Sequence, residues 1–386
     1  MARIRPTASQ PESRVPAAAA RLARAALPIV ALLVLGVVLG GTLWAASGAG
    51  TLGFDFLAYH QAANRVLAGE RLYDPAVQQT GGFGLFYYPP PFVLAILPLA
   101  PLDPTFATWT WVGLSLAAFI GGVAVMPVAP TVRWLTVLLA GLSWPFAYAF
   151  KLGQVGPLLF LLFAIGWRWL DRPLALGGSA AAGAIVKIQP GLVLAWALVT
   201  RRWQAVAIGG VVLIVAAVVA TLVTGGFSVW TDYLAVLRNV SDPISTPHNF
   251  TPGAVAYQLG LASGLAATIQ LLSSIAAVGL LVLAAMRGSS AASYLVAVTA
   301  SQLLSPVLWD HYAMLLLLPV AYLLERRQWW AVLVPLATAV FLIGVTPAPA
   351  YPIAFWVTLV ALVVVGLGEG PPARPSHATG DRVAPG

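Results

Sequence analysis

Apolar runs long enough to cross a lipid bilayer recur along this chain of 386 residues, with very few charges between them. Residues 25–46 and 204–224 each reach the roughly 20 apolar positions that a helix needs to cross a ~30 Å hydrocarbon core. Charged residues make up only 8% of the chain and hydrophobic ones 60%, whereas a soluble domain carries about 25% charged residues to wet its surface. The composition therefore predicts an all-α polytopic membrane protein and excludes a soluble enzyme or a nucleic-acid binder. The net charge of +8 then reads as loop charge that sets orientation. The chain has no cysteine, which removes disulfide frameworks and thiol chemistry from consideration.

Charge lets the chain be walked across the membrane. Arg3, Arg5, Arg14, Arg21 and Arg24 precede the first apolar run, which places the N-terminus in the cytoplasm. That run is too long for a signal-peptide core of about 7–15 residues, so it reads as an uncleaved first helix. Residues 1–24 and 369–386 are expected to be disordered cytoplasmic tails around a membrane domain over 25–368. Long extracytoplasmic loops are expected at 47–86 and 225–253. Arg172 and the Arg201-Arg202 pair both read as inner, yet the segment between them is broken by Lys187-Ile-Gln-Pro190. Two half-length helices, up and back, satisfy the charges and the proline, and they put Lys187 at the outer tip. Four apolar segments, 86–99, 105–126, 135–150 and 158–167, precede the inner Arg168. An even number of crossings would leave Arg168 outside, so one of the four must be re-entrant, and the sides of Asp103 and Arg133 stay open. The total expected is 10–13 transmembrane or re-entrant helices in the plasma membrane, with both termini cytoplasmic.

Ionisable groups beside a bilayer are costly and mark function by default. Here they gather on the outer face: Asp55, His60, Arg65 and Arg71 in the first loop, Lys187 and Gln189 at the hairpin tip, His248 and Asn249 in the second loop, and Asp310 with His311 at the start of a late inward span. Residues 56–68 read as an amphipathic helix with Tyr59, Ala62, Ala63, Val66 and Leu67 on one stripe and Gly69 as its stop. Asp55 then has two readings, the N-cap of that helix or a general base whose pKa is raised by apolar neighbours. Lys187 reads either as a snorkelling lysine or as a cation for an anionic ligand. His311, beside Asp310, is either a satisfied interfacial histidine or a phosphate or proton partner. The outer-loop tryptophans and tyrosines read mainly as an interfacial aromatic belt. Walker loops, Cys- or His-rich metal clusters, hydrolase elbows and Asp-x-Asp are all missing.

The string Gly53-Phe-Asp-Phe-Leu-Ala-Tyr59 is followed by Leu72-Tyr-Asp-Pro75, Tyr87-Tyr-Pro-Pro-Pro-Phe92, Gly153-Gln154, Lys187-Ile-Gln-Pro190 and Leu304-Ser-Pro-Val-Leu-Trp-Asp-His311. In order and spacing over residues 26–367, these motifs resemble glycosyltransferase family 87, the polyprenol-phosphate-mannose-dependent α-mannosyltransferases of actinobacterial envelopes. The resemblance implies a GT-C-like fold with an extracytoplasmic site and an acidic base in the first outer loop, the position of Asp55. It implies that Lys187 and His311 lie near the donor phosphate; Tyr312 stands where the family often has a second histidine. Arg65 is expected to help hold the phosphate, and Arg71 to help orient donor or acceptor. Tyr59, Tyr88 and Gln154 are expected to contact substrate, as are Gln189, His248, Asn249 and Asp310. The implied partners are a polyprenyl-phosphate sugar donor, a lipid or glycan acceptor and membrane lipids, with no cofactor, metal or nucleic acid. A lipid-linked phosphate is already a stable leaving group, so one base suffices where a glycoside hydrolase needs two carboxylates. The rivals are an arabinofuranosyl or glucosyl donor on the same scaffold, a lipid-linked sugar transporter or flippase, and a structural envelope partner.

Overall fold

The computed structural model describes residues 17–73, 85–239 and 243–370. Within these residues the chain is all-α, with 17 α-helices and six short 3-10 segments. An isolated bridge between Ser143 and Ala339 is its one extended pairing. The tail stretches 1–16 and 371–386, read as disordered from the sequence, lie outside the described residues. The first helix, α1 (Ala17–Gly48), nevertheless begins inside the expected tail, as its alanine-rich start favours.

Five helices are long and apolar enough to cross a membrane by themselves: the 25–48 part of α1, α4 (Pro104–Val125), α10 (Trp203–Val223), α13 (Ser263–Arg287) and α17 (Ala350–Glu369). Their apolar side chains point outward. Val211, Ile214, Val215, Val218 and Leu222 of α10 are exposed, and so are Leu271, Leu272 and Ile275 of α13. Such a hull fits a hydrocarbon solvent and not water. The inner stripe of α1, Ala31, Leu35, Leu39 and Leu43, is buried at helical spacing. The other helices are shorter, and in those that begin at Pro130, Trp144, Gly156, Pro173 and Pro252 a proline in the first turn starts the helix and ends what precedes it. The chain thus combines full-length spans with shorter and broken apolar helices, in keeping with the expected mixture of transmembrane and re-entrant segments. Five long helices are joined by broken passages.

The passages run between two ends of the bundle. At one end Arg202 reaches back to the Leu170 carbonyl, the Asp171 carboxylate (3.2 Å) and Ser290 (3.2 Å). Close by in sequence to Ser290, Ser289 donates to Glu369 (2.5 Å), which also accepts from Tyr322 (2.8 Å) and pairs with Arg326. Glu369 is therefore the tied-down last residue of α17 and not part of a tail. The Ala129 amide donates to Glu325 (2.8 Å) ahead of α5 (Pro130–Leu142). This arginine-rich end brings Asp171 and Arg202 together, so α8 (Pro173–Val186) and α9 (Leu192–Val199) form the expected hairpin with Lys187 at its tip.

The open stretch before Arg168 also closes. The short unit around α3 (Val93–Ile96) starts and finishes at the opposite end: Tyr88 meets Tyr59 of α2 (Phe54–Leu67), and the Leu102 carbonyl lies 3.2 Å from His60 Nε2. It does not cross. Asp103 caps α4 at that end, accepting from the Thr105 and Phe106 amides, and Arg133 lies at the arginine-rich end, donating to the Met126 carbonyl. Residues of α5 and α6 (Trp144–Leu152) run back, and α7 (Gly156–Arg168) leaves α6 at 117°. Three passages remain, an odd number, which puts Arg168 where its charge requires. The second long loop carries α11 (Ser228–Asn239) and α12 (Pro252–Gln258); α14 (Ser290–Leu303), α15 (Leu317–Glu325) and α16 (Leu333–Leu336) complete the bundle.

Candidate functional site

The first loop and the α6–α7 turn are fitted together by two left-handed glycines. Gly53, at φ +76°, precedes α2, and its amide donates to the Lys151 carbonyl (2.8 Å). Gly153, at φ +71°, ends α6, and its carbonyl accepts from Trp111 Nε1 (2.8 Å). A Cβ on Gly153 would lie 2.7 Å from the Cβ of Phe56, a buried core residue that cannot swing away. Gly153→Ala is therefore expected to destabilise the protein by about 2–3 kcal/mol, from the left-handed backbone plus overpacking. Thermal unfolding in detergent measures it, and an unchanged midpoint would show that the two turns are not locked.

This fit decides the reading of Asp55. Its helix starts at Phe54 with Gly53 as N-cap, and no side chain caps it. Asp55 is not the cap expected from spacing: the turn at Gly53 starts the helix two residues earlier, which puts Asp55 inside the first turn. There its carboxylate accepts a hydrogen bond from the Gln154 amide. Gln154 Oε1 accepts from the Tyr88 hydroxyl (3.1 Å), and that hydroxyl is 2.5 Å from the Tyr59 hydroxyl. With Tyr88 donating to Gln154, the chain Tyr59, Tyr88, Gln154, Asp55 runs donor to acceptor in one direction and ends on a carboxylate oxygen. Such chains polarise one another. Burial holds the Asp55 carboxyl above the ordinary aspartate range, and His311, the Gln154 hydrogen bond and Lys187 offset that only in part.

These residues line a cavity of about 980 Å³ at the end of the bundle opposite that of Arg133, Arg202 and Arg326. Lys187 enters from the hairpin tip. Its ammonium donates to the Tyr312 hydroxyl (2.7 Å) and lies over the Tyr312 ring at 4.1 Å and the Tyr88 ring at 5.4 Å. No carboxylate of the described residues is within ion-pair distance of it. His311 is buried, and neither ring nitrogen has a hydrogen-bond partner among the described residues; Asp310 Oδ1 is 3.6 Å from Nδ1. Asp310 instead accepts the His311 backbone amide (2.8 Å). A buried imidazole with both nitrogens unused is costly unless something else meets it.

Asp55, Tyr59, Tyr88, Gln154, Lys187, Gln189, His248, Asp310 and His311 all face this cavity. Three residues expected to help bind or orient substrate, Arg65, Arg71 and Asn249, are not among those that line it. Arg65 donates to the Leu72 carbonyl (3.0 Å), bracing the exit of α2. Asn249 is fully buried and spends its amide on backbone. Both are polar residues of the segments that gather at this end of the bundle, and sequence does not distinguish a backbone brace from a ligand. Conversely, Lys151, Tyr148, Tyr233 and Ser305 line the cavity without having been singled out. The signal for Lys151 was available: Lys151 and Lys187 are the chain's two lysines among 20 basic residues. Tyr233 gave none, since it arrives on α11, a helix inside what reads as a loop. Among the described residues no three histidine, aspartate or glutamate side chains converge as metal ligands.

Comparison with known proteins finds a family model, described as glycosyltransferase family 87, that matches residues 86–308, more than half of the chain. No curated protein and no solved structure matches. Asp55 and His311 lie outside the matched stretch, so their assignment rests on the geometry of the cavity.

Proposed function

The chain belongs to glycosyltransferase family 87, and on that premise we propose that the cavity moves mannose from a polyprenyl phosphate to a hydroxyl of a lipid or glycan acceptor. The carrying observation is that a carboxylate, an ammonium with no carboxylate of the described residues in ion-pair distance and an imidazole without a hydrogen-bond partner among them share a single cavity: Asp55, Lys187 and His311. In the reaction the acceptor oxygen bonds to the anomeric carbon as its proton passes to Asp55. The bond from that carbon to the phosphate oxygen breaks, and the departing phosphate keeps the electron pair. Its growing charge faces the Lys187 ammonium and His311, groups set in place before the reaction. A single displacement of this kind inverts the anomeric centre. The arginines at the opposite end support an extracytoplasmic site, because cytoplasmic loops carry the excess of arginine and lysine.

The test is transfer by washed membranes from radiolabelled polyprenyl-phosphate mannose to octyl α-mannoside, with GDP-mannose, polyprenyl-phosphate arabinofuranose and polyprenyl-phosphate glucose as parallel donors. Label arriving only from the mannosyl lipid supports the reading. Transfer from another lipid-linked sugar alone would overturn mannose, and transfer from GDP-mannose alone would overturn the lipid donor.

The raised Asp55 pKa sets a pH dependence. A base works only when ionised, so activity falls as pH drops through the Asp55 pKa, and that acid limb lies above the range of a free aspartate. Gln154→Leu removes a hydrogen bond that favours the carboxylate, which raises the pKa further. The acid limb of kcat/KM is therefore expected to move to higher pH than in wild type. A limb that stays put, or moves down, would show that Gln154 does not tune the base.

A further inference from the structure

The turn over residues 246–249 carries a conformation that its sequence does not favour. The Asn249 amide donates to the Thr246 carbonyl (3.3 Å), with Pro247 and His248 between them. Proline cannot take positive φ, which leaves type II as the turn with a left-handed third residue, a place ordinarily held by glycine or asparagine. His248 sits there at φ +57°. The other positive-φ residues with side chains among those described, Arg201 and Arg327, directly follow the C-caps of α9 and α15, where left-handed residues are usual. His248 has no helix end to close. It is exposed, and it lines the cavity.

The turn is held by its neighbour. Asn249 Nδ2 donates to the carbonyls of Pro243 (2.7 Å) and Pro306 (3.1 Å), and Oδ1 accepts from the amides of Thr251 (2.9 Å) and Leu308 (3.0 Å). All four hydrogen-bonding positions of the amide are used. The Phe250 amide adds a bond to the Leu308 carbonyl (2.7 Å). The second outer loop is thereby stapled to the segment that leads, three residues on, to His311. Strain held in place this firmly, at a cavity wall, marks a working position. The wall beside it is polar and uncharged, with Gln189 donating to Ser305 (2.7 Å) and Ser305 to the Val307 carbonyl (2.6 Å). Neutral donors and acceptors of this kind suit sugar hydroxyls.

We propose that this turn grips the acceptor: His248 hydrogen-bonds hydroxyls of an acceptor hexoside, and Asn249 is the positioning residue that keeps His248 aimed into the cavity. The proposal rests on reading the cavity as the transfer site. Octyl α-mannoside is the probe, in two measurements on the purified full-length protein. In the first, diethyl pyrocarbonate modifies His248, followed by mass spectrometry, with buried His60 and His311 as slow internal controls. Octyl α-mannoside slows modification of His248 severalfold. In the second, His248→Gly unfolds at a higher temperature than wild type, because glycine fits the turn, yet raises the acceptor KM about tenfold, the loss of roughly one good hydrogen bond. The donor KM moves far less. Asn249→Ala raises the same acceptor KM, and adding His248→Gly to it raises the KM little further, since both changes remove one interaction.

Absence of protection by octyl α-mannoside overturns the proposal whether or not transfer is seen. So does a His248→Gly protein that is more stable with an unchanged acceptor KM, which would make the turn merely structural. If Asn249→Ala does not fold, the labelling and His248→Gly decide alone. Protection of His248 without transfer from any polyprenyl-phosphate sugar would keep the turn's role and overturn the donor reading instead.

Discussion

Asp55→Asn is expected to lower transfer by about 10²–10⁴-fold, the usual contribution of a positioned base, while the protein folds as well as wild type. The geometry separates the two effects. Asparagine keeps the shape of aspartate and an oxygen for the Gln154 amide. No cap is lost, because Gly53 and not Asp55 occupies that position. Burial already disfavours the Asp55 charge, so its removal does not weaken the fold. Labelled product measured at equal protein abundance, with unfolding followed on the same samples, gives both numbers. Near-normal transfer by the asparagine variant would remove Asp55 as base and direct attention to Asp310, the other carboxylate of the cavity.

The membrane class was legible because apolar runs and scarce charges leave no other solvent to fold in. The hairpin at Lys187 was legible too, since Arg172 and Arg202 demanded the same side and Pro190 broke the helix between them; Arg202 does reach back to Asp171. Parity alone could not say which of the segments before Arg168 fails to cross. The answer lies in contacts between Tyr88 and Tyr59 and between His60 and Leu102, which join residues far apart in sequence. The same limit explains the misread polar residues. Asn249 and His248 are adjacent, both polar and in one loop, yet one is sealed against backbone and the other faces the cavity. Spacing also misplaced the start of α2, because the left-handed turn at Gly53 is set by its fit against Lys151 and Thr108 and not by local propensity.

Lys187→Gln is expected to reduce kcat by about 10²–10³-fold, the scale for removing one preorganised group that meets developing charge. Lys187 sits on extended backbone between α8 and the 3-10 turn Gln189–Gly191, and one of its three donors is taken by Tyr312. The other protons are available to a phosphate oxygen. Because the ammonium is not within ion-pair distance of a carboxylate of the described residues, its removal strands no opposite charge, so unfolding temperature should hold or rise while kcat falls. A lysine kept for structure would show the reverse. Lys187→Arg should restore little. A guanidinium is a broad planar fork, and the space over the Tyr312 and Tyr88 rings holds a compact ammonium. The chain's own usage agrees, since arginine supplies all but two of its 20 basic residues, and both exceptions line this cavity. Steady-state kinetics with the lipid-linked donor, alongside thermal unfolding of each variant, tests the whole argument. An arginine variant with wild-type kcat would reduce Lys187 to a generic positive charge, and a glutamine variant with wild-type kcat would remove it from the reaction.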